Sequence, residues 1–216
     1  MSTNTTSIIV LTLIAIAVIA GALLWNQLPE EMASHWNAND QVDDYMPKFL
    51  GVFLMPLVTL GMFALFILLP NIDPLKANIA QFRGAFNLFI VLITVFMLYI
   101  HGLTIVWSLG YQNFKMSAAM LPFLGILFMF IGYMLRQAKR NFFIGIRTPW
   151  TLSSDTVWEK THRLGSVLFM VSGASAFVGS FFGSMTAVFL LMIPLMITTF
   201  VLIVYSYILY RNETRA

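Results

Sequence analysis

Cysteine is absent from the 216-residue chain, so disulfide bonds, thiolate nucleophiles and cysteine-ligated metal sites are excluded. Charge is scarce too, because Asp, Glu, Lys and Arg make up 10% of the residues, against about 25% in a soluble domain. The chain also lacks a glycine-rich phosphate loop, a Gly-x-Ser-x-Gly elbow and a His-Glu-x-x-His pair. We therefore predict that the protein is not an enzyme and binds no cofactor or metal ion.

Long apolar segments make up most of the chain, in which 59% of the residues are hydrophobic. A bilayer core needs about 20 apolar residues of helix, and residues 7–25, 49–69, 85–109 and 117–135 each supply such a segment without a charge. The stretch 164–210 would form one helix of about 70 Å, so we expect a turn at residues 182–184 between helices 164–182 and 185–209. The sequence predicts an all-α integral membrane protein, a single membrane domain with six transmembrane helices.

The distribution of Lys and Arg predicts the orientation, because basic loops stay in the cytoplasm. With both termini inside, only Lys48 and Lys115 of the 12 basic residues lie outside. We therefore expect a multi-pass membrane protein, in contact with lipid, with cytoplasmic N- and C-termini. The basic residues form no continuous stripe, so direct binding of nucleic acid is not predicted.

Few polar features interrupt the predicted spans. His101 is their only ionisable side chain besides tyrosine, and we interpret it as a structural histidine with satisfied hydrogen bonds. A small multi-pass transporter stays as the alternative function, although such proteins normally carry several buried charges. Pro56 and Pro194 predict kinks in the second and sixth spans. Small residues at Ser175, Gly179 and Gly183 favour close approach of another helix, from the same chain or from a second copy in a homo-oligomer.

The loop at 26–48 carries five acidic residues against one basic residue, so it would attract cations or a cationic peptide. His35 with Asp43 or Asp44 offers two metal ligands, fewer than the three or four that a site requires. Trp36 and Tyr45 are suited to the headgroup layer, where amphipathic rings are stable.

The loop at 136–163 contains signals for local structure. Pro149 biases Thr148 towards an extended conformation. Ser153 or Ser154, followed by acidic residues, marks the start of a short cytoplasmic helix that leads into the fifth span. Trp158 and His162 stack at i and i+4 on this helix, where they either meet a partner or pack under the bundle.

Both loops together carry a resemblance to a known family. Residues 141–165, which read Asn-Phe-Phe-Ile-Gly-Ile-Arg-Thr-Pro-Trp-Thr-Leu-Ser-Ser-Asp-Thr-Val-Trp-Glu-Lys-Thr-His-Arg-Leu-Gly, closely resemble the signature loop of the SdpI family. The other loop is similar to that family at Leu28-Pro29, His35-Trp36-Asn37, Asp44-Tyr45 and Lys48. Asp40 stands where the family pattern leads us to expect glycine, and Ala33 where it leads us to expect proline.

The resemblance implies a bacterial membrane protein that protects the producing cell from a secreted peptide toxin of the cannibalism type. It also implies, for some members, sequestration of a small cytoplasmic transcriptional repressor at the membrane. Toxin-facing candidates on the outer loop are His35, Trp36, Asp43, Asp44 and Tyr45. Partner-binding candidates on the cytoplasmic loop are Arg147, Thr148, Pro149, Trp150, Trp158 and His162.

Overall fold

A computed structural model describes residues 1–37, 39–182 and 184–215. The helices are α1 (Thr3–Leu24, extended by a 3-10 turn over Trp25–Gln27), α2 (Lys48–Ile72), α3 (Lys76–Gln81), α4 (Arg83–Ser108), α5 (Met116–Gln137), α6 (Pro149–Ser153), α7 (Asp155–Gly179) and α8 (Ser184–Glu213). Two strands, β1 (Glu31–Trp36) and β2 (Val42–Pro47), lie between α1 and α2.

The six long helices run in alternating directions, which gives the bundle two ends. At the hairpin end, Asp40 between the strands accepts hydrogen bonds from Ser117 at the start of α5. At the opposite end, which we call the loop end, Asp73 after α2 accepts a hydrogen bond from the Phe142 backbone. The Asn87 side chain on α4 donates to the Met1 carbonyl oxygen, so the N-terminus also lies at the loop end.

Within the described residues, five helices are long and apolar enough to cross a bilayer, namely α1, α2, α4, α5 and α8. This supports the predicted helical membrane fold, with apolar runs of the expected length. The sixth long helix, α7, differs because its first turns are polar and its apolar part begins only after Arg163. The predicted helix start is found at Ser154, whose hydroxyl accepts a hydrogen bond from the Val157 amide. However, this helix continues without a break into the apolar segment, and the separate short helix is α6.

The hairpin was not expected from the sequence. β1 and β2 pair in antiparallel fashion, with Glu31 opposite Pro47 and Ala33 opposite Tyr45. Met32 is fully buried, and its side chain lies against Gly51 at the start of α2. The strands lack a clear alternation of apolar and polar residues, so the pattern that normally indicates a strand is missing. The bundle beneath supplies the burial that holds the hairpin in place.

Glycines let α5 and α7 approach closely. A Cβ built on Gly173 would lie 2.5 Å from the carbonyl oxygen of Gly125, and one on Gly132 would lie 2.6 Å from the carbonyl oxygen of Ser166. Of the three small residues predicted to allow close approach on the fifth span, Ser175 and Gly179 face α8 of the same chain. Ser175 donates a hydrogen bond to the Leu190 carbonyl oxygen, and Gly179 packs on Leu190. The third member, Gly183, lies outside the described residues.

Helices α2 and α8 continue through Pro56 and Pro194, and α2 also contains Pro70. Helix α5 contains Pro122 in the same way. The apolar runs therefore remain single helices through these prolines, and the kinks predicted at Pro56 and Pro194 stay predictions.

Candidate functional site

The hairpin is fixed to the bundle at two points. Lys48, which is buried, donates a hydrogen bond of 2.7 Å from Nζ to the Glu30 carboxylate. The Asp40 carboxylate accepts hydrogen bonds from the Ser117 backbone at 2.8 Å and from the Ser117 hydroxyl at 2.7 Å. Asp40 has a φ of 61°, the left-handed region in which glycine is favoured.

A cavity of about 640 Å³ lies beneath the hairpin. Its roof comes from the hairpin, with residues of β1, the turn and β2, and its walls come from α2, α4 and α5, with Val188 of α8 also in the lining. The walls are almost entirely aliphatic or thioether side chains, including Leu54, Met55, Val58, Met97, Ile100 and Met120. This volume is in the usual range of small-molecule sites, about 300–1,000 Å³.

Three polar atoms among the lining residues are buried and have no hydrogen-bond partner in the described part of the chain. They are the Ser34 hydroxyl oxygen, the Trp36 indole nitrogen and the His101 Nε2 atom. The His101 side chain belongs to a residue that is only 5% exposed. The sequence led us to expect that the hydrogen bonds of the His101 ring are satisfied. This expectation is wrong for Nε2, which has no partner among the described residues. Neighbouring atoms shield all three almost completely, so these polar atoms do not face the open space of the cavity.

The toxin-facing candidates of the outer loop all lie on the hairpin. His35 Nδ1 and the Asp43 carboxylate pair across the strands at 2.5 Å. Asp44 and Tyr45 are exposed on β2, whereas Trp36 is half-buried against the edge of Trp107 at 5.7 Å between ring centroids. Among the described residues, no three His, Asp or Glu side chains cluster as metal ligands would.

At the loop end, one asparagine organises the turn after α5. The Asn141 side-chain oxygen accepts hydrogen bonds from the Phe143 and Ile144 amides at 2.9 and 2.6 Å. Its amide nitrogen donates to the carbonyl oxygens of Lys139 and Ile144, both at 2.8 Å. Gly145 follows with a φ of 119°, and a Cβ at this position would collide with the His162 ring. Glycine is thus required here both by backbone conformation and by space.

Trp158 and His162 stack as predicted, with ring centroids 4.0 Å apart and an angle of 17° between the planes. The Trp158 indole donates to the Ala138 carbonyl oxygen at 2.8 Å. His162 Nε2 accepts from the Ile146 amide at 2.9 Å, and Nδ1 donates to the Trp158 carbonyl oxygen at 2.9 Å. Burial lowers the pKa of His162 to about 4, against the opposing effect of the hydrogen bond to Trp158. The ring is therefore neutral at physiological pH, with its proton on Nδ1. Nε2 can then accept the hydrogen bond from the Ile146 amide, which holds the loop against α7.

The six partner-binding candidates separate into a buried and an accessible group. Trp158 and His162 are buried, and so is Thr148, whose hydroxyl donates to Ser206 of α8 at 3.0 Å. Arg147 and Pro149 are exposed, and Arg147 donates to the Phe142 carbonyl oxygen at 2.8 Å. Trp150 is half-buried, with its ring 5.1 Å from that of Tyr207. Only the second group is accessible on the surface of the protein.

A second cavity, of about 550 Å³, lies beside this loop and is lined mainly by charged and polar residues. Arg140 on its wall donates to the Asp155 carboxylate at 2.7 Å and to the Leu152 carbonyl oxygen at 2.9 Å. Arg136, Lys139 and Arg163 add three further positive charges.

Two features of these sites were missed at the sequence level. Ser34 carried no signal of its own, and the strand is irregular on both sides of His35, so alternation along β1 would not have located it. Asp73 was also missed, and its signal was its position directly before Pro74 at a helix end.

Comparison with known proteins supports the resemblance seen in the loops. Residues 137–206 match the model of the SdpI/YfhL protein family, and residues 12–60 match a domain of unknown function (DUF1648). The chain is 28% identical over 208 residues to Immunity protein SdpI of Bacillus subtilis (strain 168), covering 95% of this chain and 96% of that protein. No solved structure matches the chain significantly. The resemblance to the SdpI family predicted from the two loops is thus confirmed.

Proposed function

We propose that this chain, which resembles the SdpI family, is an immunity protein that protects a bacterial cell from a secreted peptide toxin. The observation that carries the proposal is the match to Immunity protein SdpI, which extends over 95% of this chain and 96% of the relative. The match therefore extends over the apolar helices as well as both loops.

The proposed protein spans the cell membrane six times, with the loop end and both termini in the cytoplasm. Helix α5 ends at the loop end, whereas Val188 near the start of α8 lines the cavity at the hairpin end. Helix α7 connects the two, so it has to cross the membrane if α5 and α8 do. The orientation follows from the excess of Lys and Arg at the loop end.

In this orientation the hairpin is the surface that a secreted toxin meets first. Its exposed acidic residues include Glu31, Asp43 and Asp44, while the single basic residue, Lys48, is buried and paired with Glu30. The hairpin therefore presents net negative charge, which attracts a cationic peptide. His35, Trp36 and Tyr45 supply the aromatic part of the same surface.

The loop end provides a surface for a cytoplasmic partner, which we propose to be a small transcriptional repressor. Arg147, Pro149 and Trp150 form its accessible part, and the buried Trp158 and His162 hold it in shape. A toxin signal would reach this surface only if toxin and repressor prefer the same arrangement of the bundle.

A small multi-pass transporter is the alternative function. It would use the cavity at the hairpin end as a substrate site, but ion-coupled transport normally needs several charged residues along a path. His101 is the only such side chain in the predicted spans apart from tyrosine. Uptake or efflux that depends on this chain, without any effect on toxin sensitivity, would favour this function.

The test is survival of a toxin-sensitive bacterium that expresses this chain and is challenged with a cannibalism-type peptide toxin. We expect protection by the parent chain, checked against its amount in the membrane.

A second experiment tests the proposed partner surface at the loop end with the variant Arg147→Ala. Arg211→Ala is the matched control, because Arg211 is also exposed but lies at the end of α8. If only the Arg147 variant fails to recruit the repressor to the membrane, the proposed partner surface is supported. If both variants recruit it normally, the proposed partner surface is refuted.

A further inference from the structure

The polar cavity of about 550 Å³ at the loop end lies beside the ends of two apolar segments. Arg136 lines it from α5, directly after the charge-free run 117–135, and Arg163 lines it from α7, directly before the run that begins at Leu164. Basic side chains that flank a membrane-spanning segment lie at the level of the lipid headgroups. In the proposed six-span arrangement, this cavity is therefore at the boundary between the membrane and the cytoplasm.

Positive charge is in excess in this cavity. Its lining contains four basic and two acidic side chains, which leaves two positive charges in excess. Within the described part of the chain, only Arg140 of the four basic residues forms an ion pair, with Asp155. Arg136, Lys139 and Arg163 are exposed and have no acidic partner among the same residues. Like charges that converge on one cavity repel each other, so an anion bound between them is stabilised.

Hydrogen bonds fix the shape of the cavity. The buried Trp158 lines it, and its indole donates to the Ala138 carbonyl oxygen at 2.8 Å. The Arg140 guanidinium donates to the Asp155 carboxylate at 2.7 Å, and Asn78 of α3 donates to the Arg140 carbonyl oxygen at 2.8 Å. These walls are preformed, so only the exposed basic side chains have to be ordered when an anion binds.

The helix faces that lead from the cavity into the membrane are apolar and exposed. Tyr133 lies one turn before Arg136 on the same face of α5, and it is 49% exposed. Val167 and Val171 lie one and two turns after Arg163 on α7, and they are 56% and 58% exposed. An anion that carries apolar chains can contact these faces, whereas a soluble anion or an acidic peptide at the cavity cannot. The combination selects a lipid.

We infer that this cavity binds the phosphate headgroup of an anionic phospholipid, with the phosphate among Arg136, Lys139 and Arg163 and the acyl chains along the exposed faces of α5 and α7. The inference goes beyond the immunity function, and it rests on the proposed arrangement in which α7 crosses the membrane. A lipid bound here contacts α5, α7 and the loop between them, so it stabilises the folded loop end.

The first experiment measures thermal unfolding of the purified full chain in a neutral detergent with added lipid. Phosphatidylglycerol is expected to raise the unfolding temperature by several degrees, and phosphatidylcholine with the same acyl chains is expected to give no comparable shift. The double variant Arg136→Gln with Arg163→Gln should need at least about tenfold more phosphatidylglycerol for the same shift.

The matched control for this variant is Arg211→Gln with Arg215→Gln. It removes the same charge from exposed residues near the end of α8, and it should respond to phosphatidylglycerol as the parent does. Lys139→Gln is a second test variant in the turn, where a single substitution should weaken the response several-fold. Equal responses of the parent and both test variants would refute the lipid site.

Two soluble probes identify the source of the anion. Glycerol phosphate carries a phosphate group without acyl chains, and a polyglutamate peptide represents an acidic protein partner. Neither is expected to shift the unfolding temperature at the concentration at which phosphatidylglycerol saturates its effect. A shift by either probe that equals the shift by phosphatidylglycerol would refute the lipid and assign the cavity to a soluble phosphate or to an acidic partner.

Cysteine labelling separates this inference from the arrangement on which it rests. The chain contains no cysteine, so Thr156→Cys and Phe181→Cys each introduce a single thiol, one near each end of α7. An impermeant reagent should reach the two thiols from opposite sides of the membrane. With that result, equal lipid responses of parent and test variants would refute the lipid site alone. Labelling from the same side would overturn the six-span arrangement and the lipid site together, while toxin survival still tests immunity separately.

Discussion

Substitution of Gly173 by alanine tests the close contact between α5 and α7. The added Cβ would lie 2.5 Å from the Gly125 carbonyl oxygen and 2.6 Å from the Met129 amide nitrogen. Both are backbone atoms, so no side-chain rotation can relieve the contact. The helices would have to separate by roughly 0.5–1 Å, which forfeits a quarter to a half of each dispersion contact along the seam. We expect the free energy of unfolding to fall by about 1–3 kcal/mol.

Gly61→Ala is the matched control. A Cβ at Gly61 of α2 meets nothing within 4 Å, and this position is exposed. Alanine is the better helix former by up to about 1 kcal/mol, so the control is expected to be neutral or slightly stabilising. Reversible unfolding of both variants in the same detergent gives the comparison. Equal stabilities of the Gly173 and Gly61 variants would refute the packing of α5 on α7.

Three further predictions concern the two loops. The pKa of His162 is lowered from 6.5 to about 4, so the unfolded chain binds the proton more readily than the folded protein does. Acidification from pH 6.5 towards 4 should therefore lower the free energy of unfolding by up to roughly 3 kcal/mol. The His162→Gln variant, unfolded at pH 7 and at pH 4.5, should lack this pH-dependent loss of stability. Asp40→Ala removes both hydrogen bonds to Ser117, at a cost of about 1–3 kcal/mol, and should speed proteolysis in the hairpin, whereas equal cleavage would contradict the anchor. Asn141→Ala removes the four hydrogen bonds that hold the turn and should speed hydrogen exchange at residues 142–146, with the exposed Asn113→Ala as control.

The helices and parts of the loop end could be predicted because local rules determine them. An apolar run of about 20 residues has to satisfy its backbone internally in lipid, so run length alone locates a helix. The Ser154 cap and the stack of Trp158 on His162 follow from spacing along one helix. The resemblance to the SdpI family was equally visible, since it depends on residues that are contiguous in the chain.

The hairpin and its cavity could not be predicted because they depend on contacts between distant segments. β1 is held by the burial of Met32 against Gly51, and the tip is held by the Asp40 contact with Ser117. None of these pairs is recognisable from local pattern. His101 was misinterpreted for the same reason, because a histidine in an apolar run gives no indication of whether both ring nitrogens find a hydrogen-bond partner.

The extent of α7 was underestimated for a different reason. The charged residues before Leu164 suggested a separate short helix, but Thr161, His162 and Ser166 are buried against neighbouring segments. Tertiary contacts therefore support a continuous helix through the polar turns, where hydropathy alone indicated a boundary.

The immunity function can be tested by one dose–response measurement of toxin on a sensitive bacterium, with and without this chain in its membrane. We expect cells with the chain to survive toxin concentrations that kill cells carrying an empty vector. Equal killing of both, with the chain shown to be present and folded in the membrane, would contradict the immunity function.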